Sequence, residues 1–122
     1  WAANERRRVV LTVVSARHMP KKDLMGSCDP YAVVSLDGKE VRTNVRKGTY
    51  DPDFDEVLEL GWTRQMPGGV LLVRLFDDDK ASGADLIGEA TIQASSLFRR
   101  VIGQESEISL ELLDDHGRIV LG

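Results

Sequence analysis

The chain has 122 residues, 42% of them apolar and 30% charged, with a net charge of −4. That is one folded domain's worth of sequence and not the composition of a disordered tail. Apolar runs such as Val70-Leu71-Leu72-Val73 fall far short of the ~20 residues a membrane-spanning helix needs, and a single cysteine, Cys28, with two histidines, His18 and His116, excludes a disulfide-stapled scaffold and a four-ligand zinc finger.

The predicted elements are mostly strands. Val9 to Ala16 is valine-rich and strand-length. Tyr31 to Leu36 is a second strand, ending at Asp37-Gly38, a dipeptide suited to a tight hairpin turn because both residues tolerate positive φ. Glu40 to Arg46 is the returning strand. Phe54 to Leu60 sets Phe54, Val57, Leu58 and Leu60 against acids in an imperfect alternation. After Gly68-Gly69, Val70 to Phe76 is an apolar strand broken only by Arg74, and Leu86 to Gln93 follows. A short helical turn capped by Ser95 or Ser96 runs through Leu97 to Arg100. Glu107 to Leu113 alternates Ile108, Leu110 and Leu112, and Asp115-His116-Gly117 turns the chain into a last strand, Arg118 to Leu121. Short strands with turn signals between them predict an all-β fold, an eight-stranded antiparallel β-sandwich. The chain reads as a single domain over 1–122 with its core at about 9–121, and its start at Trp1 suggests a piece excised from a longer protein.

The charges are segregated. Basic residues gather at Arg6-Arg7-Arg8, Lys21-Lys22, Arg42 to Lys47 and Arg99-Arg100, and acids at Asp51 to Glu56 and Asp77 to Asp79. Two acidic loops stand out, Met19 to Tyr31 and Phe76 to Gly88, each following one apolar strand and preceding another. Like charges ~4 Å apart repel by roughly 4 kcal/mol at an effective dielectric of about 20, so Asp77-Asp78-Asp79 needs an offset. A proton, a lysine or a hard cation would supply one. Oxygen-only ligation selects calcium or magnesium, and many flexible carboxylates suit calcium better. The EF-hand pattern fails when counted from Asp77, because Ala81, Ser82 and Gly88 stand where an acid, a glycine and a glutamate are required. A bound ion would therefore be held by two loops distant in sequence.

Three stretches carry a family resemblance. Leu11-x-Val13-x-x-Ala16-x-x-Met19-Pro20-x-x-Asp23-x-x-Gly26-x-x-Asp29-Pro30-Tyr31 resembles the opening of a C2 domain, the calcium- and phospholipid-binding module. Asp51-Pro52-x-Phe54-Asp55-Glu56 is similar to the family's Asn-Pro-x-aromatic-Asn-Glu turn, with aspartate for asparagine. Phe76-Asp77-x-Asp79-x-x-Ser82-x-x-Asp85-x-Ile87-Gly88 is similar to its third loop. The resemblance implies calcium-binding loops at one end of the sandwich and two or three Ca2+ ions. By position, Asp23, Asp29, Asp77, Asp79 and Asp85 match the family's ligating aspartates. Ser82 and the backbone carbonyls of Leu24 and Asp78 are further ligands, while the Asp78 side chain points away from the ion. The order of strands suggests the second, phospholipase-like topology. A solvated acidic loop, or a calcium-blind member of the family, is the alternative for these residues.

The same resemblance implies binding to anionic phospholipid membranes. Two calcium ions would cancel the formal charge of −4 at one tip of the molecule, a charge switch that needs little change of shape. Lys21, Lys22 and Lys80 would each add about 1 kcal/mol near an anionic surface. Leu24 and Met25 at the loop tip would enter the acyl boundary or pack on the neighbouring loop. A basic face of Lys39, Arg42, Arg46 and Lys47 is a further lipid candidate. Arg42, Asn44 and Arg46 alternate along one strand there, with Asn44 where relatives carry a basic residue. Cys28 reads as a small, partly buried filler. No nucleophile elbow or phosphate loop occurs, so no enzyme is expected, and the acidic balance argues against nucleic acid. The expectation is a cytoplasmic module recruited peripherally to membranes, and the alternative is a calcium-independent protein–protein interaction domain on the same fold.

Overall fold

A computed structural model describes residues 6–17, 28–64, 69–79, 83–93, 112–113 and 119–121. Eight strands lie among them: β1 (Arg6–Ser15), β2 (Pro30–Leu36), β3 (Lys39–Arg42), β4 (Asp53–Arg64), β5 (Val70–Asp79), β6 (Gly83–Gln93), β7 (Leu112–Leu113) and β8 (Ile119–Leu121). Every pairing between them is antiparallel. β1 pairs with β4, and the other six form a sheet in the order β3-β2-β5-β6-β7-β8.

The two sheets meet through one face of each. In β4, Phe54, Leu58 and Leu60 are buried, and Val9, Leu11 and Val13 of β1 pack beside them. Opposite them lie Ala32, Val34 and Leu36 of β2, Leu71 and Leu75 of β5, and Ile87 of β6. The period of two along each strand puts these residues on one side. Leu71 and Val34 are almost fully enclosed, each worth roughly 1.5–3 kcal/mol. Val57 is 63% exposed, because Phe54, Leu58 and Leu60 share a parity that Val57 breaks. It faces solvent, although the alternation in the sequence groups it with Phe54, Leu58 and Leu60. β2 is buried on both faces except at Ser35, and on the outer face the Phe76 ring and the Arg42 guanidinium lie against Tyr31.

Several predicted boundaries shift: β1 begins at Arg6 and not Val9, and β4 runs on to Arg64 and not Leu60. The returning strand ends at Arg42 rather than Arg46. Thr43 Oγ1 accepts the Ala32 N–H at 3.0 Å where a backbone carbonyl would continue the ladder, and the chain runs on through isolated bonds. The second acidic loop is mostly hairpin. β5 and β6 stay paired as Asp77↔Asp85, Asp78↔Ala84 and Asp79↔Gly83. A bulge between Leu75 and Phe76 resets the register, leaving Ile87 unpaired and buried in the core. The Asp37-Gly38 turn takes the positive φ values expected, 52° and 77°. The helical turn at 95–100 and the hairpin turn at 115–117 lie outside the described residues.

Candidate functional site

The acids meet where β2 enters its sheet. Pro30 pairs with Asp77 across β2 and β5, which brings Asp29 beside Asp77. Asp77 Oδ1 accepts the Asp29 N–H at 2.9 Å, and the Asp78 N–H donates to the Asp29 carbonyl at 2.9 Å. The Gly48 N–H donates to Asp29 Oδ1 at 2.8 Å. Asp85 stands opposite Asp77 on the next strand, so the two side chains share one face of the sheet. Asp77 and Asp85 thus face each other at the end of the sheet, with the Asp29 backbone against Asp77 and the Asp29 carboxylate on the Gly48 amide. Asp78 falls on the other face by alternation.

Cys28 reports the local field. It is 4% exposed, and burial first, then the negative charges of Asp77 and Asp29, push its thiol up to about 12. The protonated thiol is a small apolar filler against Ala32, Phe54, Leu75 and Ile87, as the sequence suggested.

These carboxylates offer oxygen donors alone, the chemistry a hard cation such as calcium prefers. Among the described residues no group of three or more His, Cys, Asp or Glu could hold a metal ion. Asp23, Leu24, Met25, Lys21, Lys22, Lys80 and Ser82 lie outside the described residues, as does the side chain of Asp79.

The basic hairpin divides. Arg42 and Lys39 occupy opposite faces of β3. Arg42 is exposed on the outer face, its guanidinium 5.4 Å from the Tyr31 ring centroid. Tyr31 stacks on Phe76 at 5.5 Å, and Arg74 caps Phe76 at 5.5 Å while reaching Glu40 at 3.3 Å. Lys39 lies across β4, its Nζ 3.1 Å from where a Cβ on Gly61 would sit. Arg46 does not share a free strand face with Arg42. Its Nε donates to the Asp53 carbonyl at 3.2 Å, its Nη2 to the Phe54 carbonyl at 2.9 Å, and it pairs with Glu56 at 3.0 Å. The Asn44 N–H donates to the same Glu56 carboxylate. These partners lie on the next strand, β4, so a strand-face reading of 42–46 missed them.

Sequence reading also missed Arg17. It donates to the carbonyls of Asp51 and Pro52 at 3.1 Å and pairs with the Asp53 carboxylate, so Arg17 holds the turn before β4 while Arg46 holds the first residues of β4. The only sequence signal was a lone cation at the end of a strand opposite an acidic stretch.

The C2 domain profile matches residues 7–111. The chain is 31% identical over 106 residues to Synaptotagmin-3 of Arabidopsis thaliana, covering 84% of this chain and 19% of that protein. It therefore spans about a fifth of that relative's length. Its structure resembles the C2A domain of a plant Extended Synaptotagmin 1, with a TM-score of 0.76 and 25% identity over 93% of this chain and 88% of that one. It also resembles the calcium-bound C2A and C2B domains of Extended-Synaptotagmin 2, with a TM-score of 0.68 and 24% identity over 80% of this chain and 37% of that one, a likeness of fold.

Proposed function

The chain belongs to the C2 domain family, and on that premise we propose that it binds anionic phospholipid membranes in a calcium-dependent manner. C2 domains are membrane- and lipid-binding modules, and they often bind calcium. The observation that supports calcium dependence is the meeting of two acidic stretches distant in sequence, the Asp29 N–H on Asp77 Oδ1 and Asp85 directly opposite Asp77. Like charges directly opposite each other destabilise a sheet, and a divalent cation relieves that while using the same oxygens.

In this reading Asp29, Asp77 and Asp85 hold two or three calcium ions together with Asp23, Asp79, Ser82 and the carbonyls of Leu24 and Asp78. A bound ion supplies positive charge and coordination positions for headgroup oxygens. The chain's own residues do the rest. Lys21, Lys22 and Lys80 add attraction to an anionic surface, Leu24 and Met25 enter the acyl boundary, and Arg42 offers a guanidinium on the outer face. The module is non-catalytic, does not engage nucleic acid and acts at the cytoplasmic face of membranes as a peripheral component. The phospholipase-like strand order belongs to the same proposal, supported by the late strand β8.

The test is cosedimentation with phosphatidylserine-containing vesicles, with calcium and with chelator. Binding in calcium that is lost in chelator is expected. Binding that ignores chelator would overturn the calcium switch and favour a calcium-independent interaction domain.

A further inference from the structure

We propose that Gly48 is a positioning residue for the acidic tip, its left-handed backbone aiming an amide that fixes the Asp29 carboxylate. This inference rests on the calcium reading above.

Residues 46–49 run alongside 28–30. The Arg46 N–H donates to the Pro30 carbonyl and the Thr49 N–H to the Cys28 carbonyl, both at 2.9 Å. Between these two backbone bonds, the Gly48 N–H meets the Asp29 side chain at 2.8 Å. The Asp29 carbonyl is taken elsewhere, by the Asp78 N–H. The carboxylate is therefore the acceptor that Gly48 finds. The Asp29 backbone N–H holds Asp77 Oδ1 at 2.9 Å, so the two acids are fixed next to one another. Gly48 thus fixes the Asp29 carboxylate, while the Asp29 backbone, held separately by Asp78, fixes Asp77.

The segment that carries this amide is itself fixed. The Arg46 side chain ties it to the Asp53 and Phe54 carbonyls and to Glu56. Gly48 adopts φ +67°, and a Cβ built there meets nothing within 4 Å. The demand for glycine is one of backbone conformation and not of space. A β-branched residue would be a strong outlier at that φ, whereas asparagine tolerates it. Groups that orient a metal-ligating carboxylate typically change metal affinity 10- to 100-fold when removed, by roughly that order here.

A matched control exists. Gly38 also has positive φ, +77°, with nothing within 4 Å of its Cβ position. It sits beyond the other end of β2, about 25 Å from Asp29 by strand rise. The experiment compares wild type, Gly48→Val, Gly48→Asn and Gly38→Val. Calcium affinity is read by calorimetry well below every melting temperature, and stability by melting in chelator. Both valine variants should lose stability, but only Gly48→Val should weaken calcium binding, by roughly tenfold. Gly48→Asn should keep affinity within about twofold, since its backbone can hold the amide in place. Unchanged affinity in Gly48→Val, or equal weakening in Gly38→Val, would overturn the positioning role.

A calcium-free readout separates this inference from the calcium reading. In chelator, Asp29→Ala should speed hydrogen exchange at the Gly48 amide by roughly tenfold, as a bonded amide is released. Equal exchange in the two proteins would overturn the inference even where calcium binds. A protected Gly48 amide in a wild type that takes up no calcium would overturn the calcium reading, and the positioning role with it.

Discussion

Tyr31 and Phe76 are register partners across β2 and β5, and their rings stack at 5.5 Å with planes 18° from parallel. Both lie next to the acids along the chain, Tyr31 following Asp29-Pro30 and Phe76 preceding Asp77. Strand alternation sends the rings to the outer face and Asp77 to the other. Arg42 and Arg74 close the stack from either side. The aromatic pair therefore braces the backbone segments that carry the acids.

Removing that brace is expected to cost stability. Tyr31 is 9% exposed, so Tyr31→Ala should destabilise by about 3 kcal/mol. A double-mutant cycle with Phe76→Ala should give a coupling of about 0.5–1.5 kcal/mol, read from urea denaturation. Strict additivity would mean that the rings do not support one another.

Asp85 faces Asp77 directly in the β5–β6 ladder. Like charges in that position destabilise by about 0.2–1 kcal/mol. Asp85→Asn should raise the melting temperature in chelator by roughly 2–4 °C and shrink the rise that calcium gives wild type. A melting temperature in chelator that falls would show that the two carboxylates do not repel in the folded state.

How legible was this in the sequence? β2 was plain, because Tyr31-Ala32-Val33-Val34 is the continuous run of a strand covered on both sides. The Asp37-Gly38 turn was equally plain, since few dipeptides accept two positive φ values. The strand character of Asp77 to Asp79 was hidden. Aspartate is poor in strands, yet the backbone ladder carries the pairing to Gly83, and no periodicity announces the bulge at Leu75. The approach of Asp29 to Asp77, 48 residues apart, was readable from the order of motifs. The amide that holds Asp29 was not, because Gly48 offers a backbone group and no side-chain pattern. Arg46 was misplaced for a similar reason. A local alternation cannot reveal that its partners are Asp53, Phe54 and Glu56.

Asp55 holds φ +48° where β4 carries an extra residue against β1, between the pairs Val13↔Glu56 and Ser15↔Asp53. This irregularity leaves Phe54 buried in the core and Glu56 within reach of Arg46. Non-glycine residues pay roughly 1–2 kcal/mol in this region, with Asn and Asp the best tolerated. Asp55→Val should therefore destabilise by about 1–2 kcal/mol in chemical denaturation, while Asp55→Asn should stay within about 0.5 kcal/mol. Equal stability in the two variants would mean that the turn relaxes out of the left-handed region.

Cys28 gives a prediction with a defined sign in pH. Its thiol is enclosed, and burial together with Asp77 and Asp29 raises it from an ordinary 9.0 to about 12. The folded state holds the proton longer than the unfolded chain does. This contribution to stability is thus complete below pH 9 and is lost progressively as pH climbs toward 12. Other groups titrate in that range, so the informative quantity is a difference. In chelator, the melting temperature of wild type should fall more between about pH 8.5 and 10.5 than that of Cys28→Ala. The thiolate is the nucleophile, so iodoacetamide at about pH 8 should modify native Cys28 far more slowly than the urea-unfolded chain. Parallel melting curves in the two proteins, or fast alkylation of the native one, would place the thiol in water and away from the two carboxylates.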